Sequence, residues 1–206
     1  MKRDRRFKKK SFKSISIIIL ILLTIFLLNV FAMDSKNELL NDKVISVKDY
    51  GAKGDGITDD TLAIQKGLDE NNDVFIPEGT YLIDVDQSLY LKSGQTLVMS
   101  EKAVLKALPT SSEINAVIFV GGVKDVRITG GTIIGERNGH KGNTGEWGMG
   151  ILVSDAASNI SINGITIKDC WGDGIYLGGF SGVSDVTIDQ VVCDNNRRQG
   201  LSITNA

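Results

Sequence analysis

NISINGITIKDCWGDGIYL (residues 159–177) and DVTIDQVVCDNNRRQGLSI (residues 185–203) superpose at an offset of 26. Ile160 falls on Val186, Ile162 on Ile188, Ile165 on Val191, Gly174 on Gly200 and Leu177 on Ile203. Each copy reads as strand, turn, strand, turn, strand, with apolar residues alternating inside short runs bounded by Gly, Asn and Asp. A unit of that length cannot bury its own apolar face. Copies must therefore stack, Ile upon Val upon Leu, and a repeat in this size range is the mark of a solenoid.

Working outward, DVRITGGTII (125–134) and WGMGILV (147–153) form an earlier copy, with Val126 34 residues before Ile160 but Trp147 only 24 before Trp171. Further upstream the pattern continues through VFI, TYLI, LYL, TLV, AVL and AVIFV, from Val74 onward. The fold class is all-β, a parallel β-helix over residues 44–206. Ile162, Ile188, Ile165, Val191, Ile175 and Leu201 are expected inside it. In this register Cys193 takes the place of Ile167, and Cys170 that of Asn196, three positions away. That is roughly 10 Å at ~3.3 Å per residue, beyond the ~7 Å a disulfide tolerates, so both thiols are expected free.

The formal charge of −2 conceals two halves: residues 1–13 carry eight Lys/Arg against one Asp, which leaves −9 for the rest. An acidic body offers no basic face for nucleic acid. The basic tip runs into SISIIILILLTIFLLNVFAM (14–33), which has the layout of a signal peptide, with Val30 and Ala32 before a cut, or of an uncleaved N-terminal anchor. Either places the body outside the cell, secreted or anchored at the outer face of the membrane, with membrane contact only through this segment. Residues 34–43 read as a linker. The chain stops at LSITNA, just after an apolar strand and without a cap, which predicts a β-helix incomplete at its C-terminus.

The first coil is preceded by VKDYGAKGDGITDDTLAIQKGLD (47–69). Its glycines allow a tight turn. Thr58 or Asp59 is positioned to cap a short helix over 60–69 with an acidic first turn. Ala63, Ile64, Gly67 and Leu68 would form an apolar face resting on the first coil, so the stretch reads as a lid over an open solenoid end. The segment DYGAKGDGITDDTLAIQKGLD, followed by VFIPEGTYLI and LYLKSGQTLVMSEKAVL, resembles the start of the pectate-lyase-like superfamily. These are right-handed parallel β-helices that include polygalacturonases, rhamnogalacturonase-like proteins, mannuronan C5-epimerases and phage tailspikes.

Candidate chemistry gathers around one turn. The earliest of these three copies carries a ten-residue insertion within GERNGHKGNTGE (135–146), which holds Arg137, His140 (the single histidine), Lys141 and Glu146. Insertions in solenoids become loops on one face. The register aligns Trp147 with Trp171 and Arg197, Gly148 with Gly172 and Arg198, Met149 with Asp173 and Gln199, and Leu152 with Tyr176 and Ser202. Two tryptophans above an arginine make a platform for sugar rings and their carboxylates. Trp147, Trp171, Arg197, His140 and Tyr176 are therefore the expected substrate-binding residues.

Asp173 in WGDGIYL resembles the aspartate of the polygalacturonase N-T-D-G-I pattern, matching at Asp173, Gly174 and Ile175. The second acid of that family would lie on the next coil, where this sequence has Gln199. Glycoside hydrolysis needs two carboxyls, and Glu146 is the substitute at hand. The epimerase pattern of Tyr and Asp beside His is not met in WGDGIYL. A lyase needs a cation against the uronate carboxylate and a base for the C5 proton. Catalysis is thus expected from Asp173, Glu146 and Arg198, in a groove they share with Trp171. No stretch has metal-loop spacing, although related lyases use Ca²⁺, so the cofactor stays open with Ca²⁺ as its candidate. The expected activity is that of an extracellular lyase or glycoside hydrolase on an acidic, pectin-like polysaccharide. The alternative is a non-catalytic glycan-binding or structural spike protein, or an inactive fragment.

Overall fold

The structure, a computed structural model, describes residues 44–206. The leader or anchor expected over 1–33 and the linker over 34–43 lie outside the described residues. A partial first turn, β1 (Ile45–Ser46) and β2 (Asp55–Asp59), is followed by five coils of three strands each. They are β3 (Asp73–Ile76), β4 (Gly79–Ile83) and β5 (Leu89–Tyr90); β6 (Thr96–Met99), β7 (Ala103–Ala107) and β8 (Ile114–Gly121); β9 (Lys124–Thr129), β10 (Thr132–Ile134) and β11 (Trp147–Ser154); β12 (Ser158–Asn163), β13 (Thr166–Lys168) and β14 (Ile175–Leu177); and β15 (Ser184–Asp189), β16 (Val192–Asp194) and β17 (Leu201–Ile203). From β3 onward each strand pairs in parallel with the strand three further along. The first sheet is β1-β3-β6-β9-β12-β15, the second β2-β4-β7-β10-β13-β16 and the third β5-β8-β11-β14-β17.

Three largely aliphatic ladders fill the interior. Val74, Leu97, Ile128, Ile162 and Ile188 stack along the first sheet. Tyr81, Leu105, Ile133, Ile167 and Cys193 stack along the second, and Leu89, Ile118, Ile151, Ile175 and Leu201 along the third. The first four rungs of each ladder are fully buried. The 26-residue offset is the register of β12 on β15, β13 on β16 and β14 on β17. Burial departs from expectation only in the fifth coil. Ile188, Val191 and Cys193 are half-buried and Leu201 is 43% exposed, because no described coil lies on their far side. Cys170 and Cys193 are both free, and burial pushes both thiols up, Cys170 far beyond the usual range.

The lid is α1 (Thr61–Glu70), with Ile64, Gly67 and Leu68 buried. Its capping differs from the sequence reading. Asp59 accepts from the Thr61 amide (3.0 Å) and hydroxyl. Asp60, at the cap position and 1% exposed, turns its carboxylate away to accept from the amides of Lys53 (2.6 Å) and Gly54 (2.9 Å). No acidic residue lies in the first helical turn. One carboxylate therefore ties the glycine-rich turn to the helix start. Gly54 sits at φ +63°, and a Cβ there would stand 2.6 Å from the Tyr81 ring, so both backbone shape and space demand glycine.

Candidate functional site: the inserted turn and the third sheet

The second and third sheets are joined on each coil by a turn, and these turns share one side of the solenoid. Sixteen residues separate Ile134 from Ile151, where six separate their partners Lys168 and Ile175. That difference is the expected ten-residue excess. The inserted segment spreads over neighbouring coils. Lys141 donates its amide to Thr110 O (2.7 Å) on the second coil, and Arg137 donates its amide to Asp169 O (2.9 Å) on the fourth. The Arg137 guanidinium reaches Asn195 O (2.6 Å) on the fifth.

Trp171 is the middle layer of a stack. The His140 ring lies parallel to it, with centroids 3.9 Å apart and planes within 8°, and the Arg197 guanidinium carbon is 3.9 Å from its ring. Trp171 Nε1 and Arg197 Nη1 both donate to Gly145 O, at 3.1 and 2.9 Å. The expected column of Trp147 over Trp171 over Arg197 is thus altered. The imidazole from the inserted loop takes the upper place, and Trp147 stands apart, 47% exposed. His140 Nδ1 is 2.9 Å from Glu136 Oε2, and both side chains are almost wholly buried, at 1% and 2% exposure. Burial raises the Glu136 carboxyl above the ordinary range, against the opposing pull of His140 and Asn115. Glu136 Oε1 and His140 Nε2 have no hydrogen-bond partner.

Asp173 does not face solvent. Its side chain is fully buried, Oδ1 accepts from the Gln199 amide (2.9 Å) on the next coil, and Oδ2 has no partner. The premise that it lines an open groove is therefore corrected: the carboxylate is buried and engaged by the fifth-coil backbone. Arg198 lies between two acids, with Nε 3.8 Å from Asp173 Oδ1 and Nη1 3.7 Å from Glu146 Oε1. Glu146 (57% exposed) and Arg198 (31%) are the accessible members. Tyr176 belongs elsewhere, with its hydroxyl 2.8 Å from Thr204 Oγ1. Among the described residues no three His, Cys, Asp or Glu side chains converge as a metal-ligand set.

Tyr176 nonetheless sits in a second constellation. On the outer face of the third sheet Tyr90, Phe119, Leu152, Tyr176 and Ser202 are register partners, one per coil. Tyr90 is 51% exposed, and its ring lies 5.1 Å from that of Phe119. Sheet geometry spaces such rungs about 4.8 Å apart. The inserted turn leads into this face and the turn carrying the fully exposed Phe180 leads out of it.

The sequence reading missed Glu136, Tyr90 and Phe119. Extending the Leu152/Tyr176 column two coils upstream reaches both rings. The four-residue spacing of Glu136 and His140 is the only trace of the buried pair.

Residues 44–118 match the family described as rhamnogalacturonase A/epimerase, pectate lyase-like. Over that stretch the chain matches a pectate lyase-like domain, and its described fold is a parallel β-helix. The plasmin and fibronectin-binding protein A of Streptococcus pneumoniae, a surface adhesin, is 30% identical over 79% of this chain and 25% of its own length. The mannuronan C5-epimerase AlgE3 of Azotobacter vinelandii is 25% identical over 83% of this chain and 11% of its own. A crystal structure from Parabacteroides merdae, solved as a candidate glycosyl hydrolase, is 26% identical with a TM-score of 0.60, covering 78% of this chain and 80% of that one. The chain spans about a third or less of the curated relatives it matches.

Proposed function

We propose that this protein is an extracellular, polysaccharide-active β-helix that takes an acidic glycan along the outer face of its third sheet. The observation that carries the reading is the ladder Tyr90–Phe119–Leu152–Tyr176, a row of rings and an aliphatic rung parallel to the solenoid axis. Aromatic faces pack on the C–H faces of sugars, and a row repeated once per coil suits a polymer. At the edge of that face Arg198 supplies a cation for a uronate carboxylate. Glu146 at 3.7 Å is the carboxylate positioned to move a proton. Asp173 acts beneath them as a positioning residue, holding Arg198 from its buried side. That set fits lyase or epimerase chemistry, in which the C5 proton is removed while its neighbouring carboxylate is neutralised. It fits hydrolysis less well, because the second carboxyl, Asp173, is buried.

A second reading is supported by the closure of Trp171 beneath His140 and by the adhesin relative: a surface protein that binds glycan without turning it over. The two separate in one experiment. Residues 34–206 are incubated with polygalacturonate, alginate and a neutral glucan, and binding and product ends are measured together. Unsaturated ends or altered uronate epimers that disappear in Arg198→Ala and Glu146→Gln support the enzyme. Retention on the acidic glycans without products supports the binder, and Tyr176→Ala then weakens it about tenfold. Indifference to all three glycans sinks both readings.

A further inference from the structure

The inserted turn holds a ring where a ligand's ring would go. His140 lies flat on Trp171 at stacking distance, almost wholly shielded from water. Arg197, which packs on the same indole, spends its guanidinium on Gly145 O and Trp171 O, at 2.9 and 3.4 Å. Trp171 Nε1 donates to the same Gly145 carbonyl. The aromatic face, the cation and the indole donor are thus all engaged by one loop of their own chain.

We propose that Trp171 and Arg197 form a closed subsite for a uronate ring, and that His140 and Gly145 occupy it as an internal substitute for that ligand. The inference rests on the acidic-glycan reading above and adds a site to it, distinct from the third-sheet ladder. In this arrangement a sugar ring replaces the imidazole on the indole, and its carboxylate replaces Gly145 O as the acceptor for Arg197.

Three observations argue that the loop is displaceable rather than a permanent strut. Its closed form leaves two buried polar atoms, Glu136 Oε1 and His140 Nε2, without partners, and unpaired buried groups weaken the state that contains them. Glycines recur at 135, 139, 142 and 145. Gly145, at the loop's exit, adopts φ +78°, so the end next to Trp147 has backbone freedom that other residues lack. The strands on both sides are held by main-chain pairing that does not involve the loop.

The test uses the full chain carrying Trp147→Phe, so that Trp171 is the only indole. Its emission is quenched with acrylamide, with and without an oligogalacturonate or a neutral oligosaccharide. In the parent, quenching is weak. In His140→Ala it rises severalfold, the oligogalacturonate suppresses it again, and that ligand binds at least fivefold more tightly than in the parent. The neutral sugar does neither.

An unchanged quenching constant in His140→Ala overturns the proposal. So does increased quenching that the oligogalacturonate fails to suppress while it still binds the parent through Tyr176. Global loss of β-structure in His140→Ala likewise overturns it, since the ring would then be a strut. Absence of oligogalacturonate binding in parent and variant alike, with alginate also unbound, removes the acidic-glycan reading on which the subsite depends.

Discussion

Two turns on the same side of the solenoid are built in opposite ways. The turn of the fourth coil, 169–174, is bonded to that of the fifth, 195–200, by a regular series of main-chain contacts. Arg197 N donates to Cys170 O, Arg198 N to Gly172 O and Gly174 N to Gln199 O. Their side chains extend the same pairing: Asn196 Oδ1 accepts from Cys170 N at 3.0 Å, and Asn195 donates to Asp169. The third-coil turn, 135–146, also has main-chain ties, but its centre is closed by one-off side-chain contacts, His140 on Trp171 and on Glu136. Repetition makes the first kind robust. The second kind has no neighbour doing the same job, so it can be undone locally.

The largest effect that would break this contrast belongs to the repeated part. Ile162→Ala removes a rung between Ile128 and Ile188 and should cost about 2–5 kcal/mol, read from the urea midpoint with an unchanged slope. A loss below 1 kcal/mol would mean that the ladders are not what holds the coils.

Asp173→Ala comes next, at about 1–3 kcal/mol, because it leaves the Gln199 amide unpaired and frees Arg198. If Asp173 only positions Arg198, then any turnover should fall through KM as well as kcat. An exclusive effect on kcat with unchanged stability would return Asp173 to direct catalysis.

Arg137→Ala, which cuts the loop's tie to Asn195, should change global stability by less than about 1 kcal/mol. Amide exchange in 135–146 should accelerate all the same.

The smallest expected effect is electrostatic. Burial holds the Glu136 carboxyl above its ordinary value, with His140 and Asn115 opposing and Asp86 assisting. The folded protein therefore binds this proton more tightly than the unfolded chain. Its stabilising contribution is complete below the ordinary glutamate value and is lost as pH rises through the raised folded value. Glu136→Gln should flatten that segment of the stability profile. A variant that instead loses stability relative to the parent most on the alkaline side would show the sign to be wrong.

The same contrast explains what was legible in the sequence. The offset of 26 located β12 to β17 and the pairs they make, because each strand had a second copy to be compared with. The ten-residue excess was equally plain, as a break in that comparison. The partners within it were not. Glu136 and His140 meet through a local bend, and Trp171 is covered by a ring from another coil, and neither leaves a period. Asp173 was found by its DG context, but that context could not say which way its carboxylate turns. The backbone of the following coil decides that. The lid was legible as a helix with an apolar face, whereas the role of Asp60 was not, since its carboxylate serves amides six and seven residues behind it.

The column of Tyr90, Phe119, Leu152 and Tyr176 has one consequence more. Its rungs are fixed to the coils, so their spacing is set by hydrogen bonding between strands and not by the side chains themselves. The face is therefore graduated like a ruler, one division per coil. A polymer laid along it is measured in whole divisions, and avidity should climb in steps as an oligosaccharide lengthens to span each further coil.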